Sequence, residues 1–228
     1  MEVSLTLPCY NEESNIREVA TKACEYLNLF TDRYEVIVVD DGSIDKSLSI
    51  INELINENPN IRVIHHDINQ GYGSAVSDGL RDSRYKYVCF VDSDGQFDFK
   101  ELKQLIELMP GNDMVLGYRA TRKDPIHRLI NAKMYAFLLR ILFGLKVKDI
   151  NCAFKVFKKS LIDDIYMESE GALINAEILI KAKQRGYTKI REIPVSHYPR
   201  ISGKQTGANI KVILRAFAEL FRLKMKIR

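Results

Sequence analysis

Through its first half the chain alternates short continuous apolar runs with stretches in which apolar residues return every three or four positions. The continuous runs, Val3–Leu7, Tyr34–Val39, Ile61–His65, Lys86–Val91 and Asp113–Gly117, predict strands. Helical spacing covers Asn15–Phe30, with Ile16, Val19, Ala20, Ala23 and Leu27 on one side, and roughly Lys46–Asn56, with Leu48, Ile51, Leu54 and Ile55. Further helices are expected at Gly73–Arg81 and near Phe99–Met109. Repeated strand–helix–strand units predict an α/β fold, a mainly parallel sheet flanked by helices and joined by right-handed crossovers. The second half is less regular. Leu129–Leu145 predicts a helix that is apolar around much of its circumference, Val147–Lys158 an extended stretch, Ala176–Gln184 a helix and Lys189–Ile193 a strand. A last helix starts at about Gly207. No internal repeat, low-complexity segment or linker interrupts the chain, which predicts a single domain over residues 1–228.

Ligands of such sheets bind in the crevice at the carboxyl ends of the strands. Three polar clusters fall there: Pro8–Glu12, Asp40–Ser43 and Asp92–Gln96. In the last of these, Asp92-Ser93-Asp94-Gly95-Gln96 follows an apolar run, and nothing about folding asks for two carboxylates beside a core strand. A divalent cation does, because oxygen ligands on a short turn can hold Mg²⁺ or Mn²⁺ and leave positions open for phosphate. A solvated Asp-Ser-Asp-Gly turn accounts for the same string on its own. Tyr10 beside Glu12 suits a base and a ribose, while Asn11 or Ser14 suits a helix cap. Asp40-Asp41-Gly42-Ser43 fits a ribose or base contact, and equally a turn that starts a helix. Asn69-Gln70-Gly71-Tyr72-Gly73 lacks the phosphate-loop pattern and reads as close packing or ligand contact.

Composition narrows the class without naming the chemistry. Apolar residues make up 46% and charged residues 28% of the 228 positions, ordinary values for a globular protein. No apolar run approaches the ~20 residues needed to span a bilayer. The first residues show no signal-peptide pattern, and Cys9, Cys24, Cys89 and Cys152 are scattered without metal-binding spacing. Reduced thiols and a cytoplasmic location are expected. The net charge of +4 is concentrated, since residues Ala208–Arg228 alone carry six Lys or Arg and one Glu. The rest of the chain is close to neutral, and no nucleic-acid partner is expected.

The strings Pro-x-Tyr-Asn-Glu, Val-Val-Asp-Asp-Gly-Ser-x-Asp, Asn-x-Gly-x-Gly and Asp-Ser-Asp-Gly-Gln, in this order, resemble family 2 glycosyltransferases. Within that family they look most like the dolichyl- or polyprenyl-phosphate mannosyl- and glucosyltransferase branch. Gly117-Tyr118-Arg119, Asp149-Ile150-Asn151-Cys152-Ala153-Phe154-Lys155, Glu192-Ile193-Pro194-Val195 and Arg200-x-x-Gly203 extend the resemblance over nearly the whole chain. The resemblance implies a GT-A type nucleotide-sugar fold and an inverting, metal-dependent transfer of a hexose from a nucleotide sugar of GDP-mannose or UDP-glucose type to a polyprenyl or dolichyl phosphate. By matching positions, Pro8, Tyr10, Glu12, Val39 and Asp41 would hold the nucleoside, with Asp92 and Ser93 beside it. Asp92, Asp94 and Gln96 would hold Mg²⁺ or Mn²⁺. Asp94, Arg119, Arg128 and Arg200 would carry the catalytic charge. Residues 1–118 would then bind the nucleotide sugar, 119–206 the acceptor, and 207–228 would form a basic amphipathic helix.

Departures from the branch pattern cluster where the acceptor should bind: His127-Arg128-Leu129-Ile130-Asn131, Ala153 in place of a usual Gly, and Arg200–Thr206. A lipid phosphate is already ionised and needs no general base, whereas a hydroxyl acceptor does. Asp149 and Glu177 are the candidate bases, and no clear Glu-Asp pair is present. The last helix places Ile210, Ile213, Leu214, Phe217, Leu220 and Phe221 on one side and most of its basic residues elsewhere. That pattern fits peripheral contact with the cytoplasmic membrane face, or packing on the domain. A soluble or glycan hydroxyl acceptor, and a nucleotide-sugar-binding partner without turnover, are the alternatives.

Overall fold

A computed structural model of the chain describes residues 1–120, 126–200, 219–220 and 222–225, with the backbone alone for 126–131. Strands β1 (Glu2–Cys9), β2 (Arg33–Asp40), β3 (Ile61–His65), β4 (Tyr87–Val91), β5 (Met114–Arg119), β6 (Phe154–Lys158) and β7 (Ile190–Val195) form one sheet in the order β3-β2-β1-β4-β6-β5-β7. β1 pairs in parallel with β2 and β4, β2 with β3, and β5 with β7. β6 alone runs the other way, antiparallel to β4 and β5. Helices α1 (Ile16–Phe30), α2 (Ser47–Glu57) and α3 (Tyr72–Asp82) make the crossovers of the first half.

The chain lays β2 and β3 on one side of β1 and then returns to place β4 on the other. This reversal splits the connecting loops at the carboxyl ends of β1, β2 and β4 and opens the crevice expected from the polar clusters. All five residues of β4 are buried, as are the last six of β2, which is why both read as unbroken apolar runs. Helix α3 lies so close to β1 that a Cβ at Gly79 would stand 2.2 Å from Thr6 Cγ2.

The structure departs from the sequence pattern in three places. Only Phe154–Lys158 of the expected extended stretch Val147–Lys158 is a strand, because the preceding loop is shaped by an ion pair of Asp149 with β5. A short helix, α6 (Lys159–Asp163), follows β6 directly and is too brief to show a period. The expected Phe99–Met109 helix is a 3₁₀ turn at Phe99–Glu101 continued by α4 (Leu102–Glu107). Helices α5 (Ile126–Phe143) and α7 (Ile174–Gln184) lie where the pattern puts them. Most of the last helix, 207–228, is outside the described residues.

A helical Gly→Ala change ordinarily stabilises by reducing unfolded-chain freedom. Gly79→Ala is expected to do the opposite, lowering stability by about 1–3 kcal/mol through overpacking against Thr6. Urea unfolding checks this, and Thr6→Ala in the same chain should recover part of the loss.

Candidate active site

The loops that leave β1 and β2 are locked together by reciprocal bonds. The Asn11 amide, at φ 55°, donates to Ser43 Oγ at 3.0 Å, and the Ile44 amide donates back to Asn11 Oδ1 at 2.9 Å. The Glu12 amide donates to Ser47 Oγ at 2.8 Å, and the Lys46 amide to the Glu13 carboxylate at 3.0 Å. Asn11 and Ser43 therefore serve the loops themselves. The same lock fixes Tyr10 at the lip of the crevice, 45% exposed, with its ring available to stack. Val39 packs against Ile37, Ala75 and Ile64 and backs the rim from the core.

Asp41 is buried and spends its carboxylate on the next loop. Oδ1 accepts from the Gln70 amide at 2.8 Å and lies 2.8 Å from His66 Nδ1, and Oδ2 accepts from the Gly71 amide at 2.9 Å. The Asn-x-Gly-x-Gly string is shaped by packing: a Cβ at Gly73 would meet the Ser169 carbonyl at 2.1 Å, and the Gly73 amide donates to Glu170.

β4 delivers Asp92 to the crevice. Tyr72 Oη donates to Asp92 Oδ1 at 2.8 Å, and Ser93 Oγ bonds the Pro8 carbonyl, tying this turn to the end of β1. Asp94 Oδ1 accepts from the Gln96 amide at 3.1 Å. Gln96 turns its side-chain amide outward to the Tyr198 carbonyl at 2.7 Å, and the Tyr198 amide answers to Gln96 O at 2.8 Å. Burial, and next the Asp94 charge, push Asp92 up to about 7. Burial raises Asp94 as well. Two half-buried carboxylates whose charged forms are both disfavoured suit a cation. Among the described residues no three His, Cys, Asp or Glu side chains converge as a closed metal cage. The two carboxylates, with Gln96 Oε1 as a neutral oxygen beside them, fit a hard divalent ion that keeps open positions for phosphate oxygens.

Guanidinium groups flank the pair. Arg119 is held by Asp149 in a two-pronged bond, Nε to Oδ2 at 2.7 Å and Nη2 to Oδ1 at 2.9 Å. Arg200 donates to Glu12 through Nη2 and brings Nη1 to 3.8 Å from Asp94 Oδ2. Arg128 lies in the first turn of α5, and its side chain is outside the described residues. Of the two candidate bases, Asp149 is committed to Arg119. Glu177 is fully buried on α7, accepts the Glu168 and Ser169 amides at 3.0 and 2.8 Å, and pairs with Lys181 at 2.6 Å. It anchors the loop against which Gly73 packs.

Three residues near the site escaped the sequence reading. His66 is buried between Asp41 and Asp78, with Nε2 3.2 Å from the latter. Lys155, on β6, is completely buried, and its Nζ donates to Asn175 Oδ1 at 2.8 Å. The signal for Lys155 was visible: a lone cation inside the apolar string Phe154–Phe157. Asn175 carried no signal of its own.

Residues 4–166 match the sequence model described as Glycosyl transferase family 2. The chain is 33% identical over 94% of its length to the dolichyl-phosphate beta-glucosyltransferase of Saccharomyces cerevisiae, covering 72% of that protein. It is 29% identical over 98% of its length to the dolichol-phosphate mannosyltransferase of Pyrococcus furiosus, covering 64% of that one. Among solved structures, glucosyl-3-phosphoglycerate synthase from Mycobacterium tuberculosis in complex with Mn²⁺ and UDP-glucose superposes with a TM-score of 0.72 at 18% identity, over 96% of this chain and 78% of that one. That likeness identifies the fold as GT-A.

The raised Asp92 predicts a measurable conflict between stability and function. Its ionised form is disfavoured in the fold, so the penalty is absent below the ordinary carboxylate range, grows as pH rises, and is complete above about 7. Asp92→Asn is expected to stabilise the metal-free protein at pH 8 by roughly 1–3 kcal/mol, a gain that fades as pH falls from 7 towards 4. Denaturant melts across that range check it.

Proposed function

The chain belongs to glycosyl transferase family 2, and from that premise we propose that it moves a hexose from a nucleotide diphosphate sugar to a polyprenyl or dolichyl phosphate. The observation that carries the choice of acceptor is the commitment of both candidate bases: Asp149 to Arg119, and Glu177 to Lys181 and two amides. An ionised phosphate needs neither. The yeast and archaeal relatives, by name, act on dolichyl or dolichol phosphate.

In this reading the base of the donor stacks on Tyr10, with Pro8, Glu12 and Asp41 around the nucleoside, and the diphosphate lies over Asp92–Gln96. Mg²⁺ or Mn²⁺ on Asp92 and Asp94, with Gln96 beside them, would neutralise charge on the leaving diphosphate. Mn²⁺ is the ion in the mycobacterial complex. Arg200 exchanges Glu12 and Asp94 for phosphate oxygens, and Arg119, kept in orientation by Asp149, presents a second fixed positive charge. Arg128 is assigned to the acceptor phosphate. An acceptor oxygen attacks the anomeric carbon opposite the leaving group. The new C–O bond forms as the bond to the β-phosphate oxygen breaks, its electron pair departs with the diphosphate, and no proton is transferred. Among the described residues no helix is long and apolar enough to cross a membrane. Leu220 and Leu223 are buried in the core, which supports packing of the apolar side of the last helix on the domain and leaves its basic residues as the candidates for contact with an anionic membrane face.

The test is incubation with radiolabelled UDP-glucose or GDP-mannose, polyprenyl phosphate and Mn²⁺. Label is expected in the organic extract with one donor, and chelation should remove it. Asp94→Asn should reduce transfer by about 10²-fold or more with an unchanged circular dichroism spectrum. Label in an aqueous glycan instead would overturn the lipid-phosphate acceptor, and wild-type turnover in Asp94→Asn would overturn the metal site.

A further inference from the structure

Helix α5 is apolar on both of its sides. Tyr135 and Leu139 face inward and are buried in the core. The outward side, polar on an ordinary surface helix, is apolar as well. Met134, Phe137 and Ile141 stand there 53%, 64% and 63% exposed, spaced by three and four residues so that they form one row. Scattered exposed apolar side chains are ordinary, but three large ones in a row mark a contact surface. Folding does not call for them, since the inward side already docks the helix.

The charge around the row indicates what it meets. From Ile126 to Lys148 there is no Asp or Glu, while Arg128, Lys133, Arg140, Lys146 and Lys148 are cations. Lys133 and Arg140 are exposed, about two turns apart, and run along the flank of the apolar row. Lys224 of the last helix donates to the Leu142 carbonyl at 2.6 Å and lies 5.1 Å from the Phe143 ring, which fastens that helix to the end of α5. A second copy of the chain meeting this row about a two-fold axis would set cations against cations. An anionic lipid surface takes the pattern as it is: apolar side chains enter the acyl boundary and cations stay among the phosphates. Because the last helix turns Leu220 and Leu223 into the core, the apolar part of such a contact has to come from elsewhere.

We propose that α5 is the membrane-seating element: Met134, Phe137 and Ile141 enter the acyl boundary of an anionic bilayer, and Lys133 and Arg140 hold its headgroups. The inference rests on the acceptor reading above for its purpose, since Arg128, assigned to the acceptor phosphate, belongs to the first turn of this helix.

The experiment is co-sedimentation of the full chain with vesicles of phosphatidylglycerol and phosphatidylcholine, and of phosphatidylcholine alone, none holding polyprenyl phosphate. Phe137→Gln and Ile141→Gln are each expected to weaken binding to the anionic vesicles about five-fold or more, without lowering the melting temperature. Lys133→Gln with Arg140→Gln should weaken it about ten-fold or more, an effect that fades at high salt. Leu29→Gln, which removes an exposed apolar side chain from α1, should change nothing. The chain has no Trp, so Phe137→Trp adds a single probe, whose emission should shift to the blue on anionic vesicles. Wild-type protein that stays in the supernatant, binding unaffected by Phe137→Gln and Ile141→Gln together, or an unshifted Trp emission overturns the assignment. So does a dimer in solution that Phe137→Gln dissolves, because that outcome gives the row to a second copy. Vesicles without polyprenyl phosphate separate this test from the acceptor reading: a protein that binds them through α5 but labels no lipid phosphate overturns the acceptor and leaves the surface standing.

Discussion

Asp92 stands where a fully buried strand meets the crevice, and a carboxylate there keeps its charge only against the cost of leaving water. Much of the surrounding architecture bears on that cost. Asp94 adds a second negative charge two residues on and deepens it. Arg119 and Lys155 oppose it, Arg200 faces Asp94, and the Tyr72 hydroxyl fixes one oxygen. The fold leaves the pair short of positive charge, which favours binding of a cation and the anion that travels with it.

The parallel core was legible because its strands are buried on both faces and therefore continuous in sequence. β1, β2 and β4 appear within one or two residues of their apolar runs. The carboxylates at their ends stood out for the same reason, as charge abutting an apolar string. What could not be read is whatever depends on a partner distant in sequence. Asp149 lies in a loop because Arg119 holds it there, and no local pattern reports such a bond. Asn175 and Lys155 are separated by a loop and a helix, and neither spacing nor residue type announces that they meet. Asp41 shows a different difficulty: a carboxylate that binds its own neighbouring amides looks, in sequence, the same as one waiting for a ribose.

Conformational coupling in the site runs through the main chain as well as through charge. The Gln96–Tyr198 pair and the bonds from Ser196 to Glu101 fasten the segment after β7 to the Asp92–Gln96 turn and the helix after it, which brings Arg200 over Glu12. The turn and the arginine are therefore one mechanical unit.

The reversed strand β6 has a consequence for how the protein is made. It fills the place between β4 and β5, so β4, buried along its whole length in the finished fold, has one edge unpaired until β6 arrives. The chain from Asp92 to Ala153 must leave the ribosome first, several seconds at about 5–20 residues per second. During that interval the nascent chain carries an open, hydrophobic strand edge of the kind that templates association. The charge on Lys155 then arrives opposite Phe90 as β6 joins β4 to β5, with β7 still to follow. The joining of β4 to β5 and the arrival of Lys155 near Asp92 are a single event in the life of the chain.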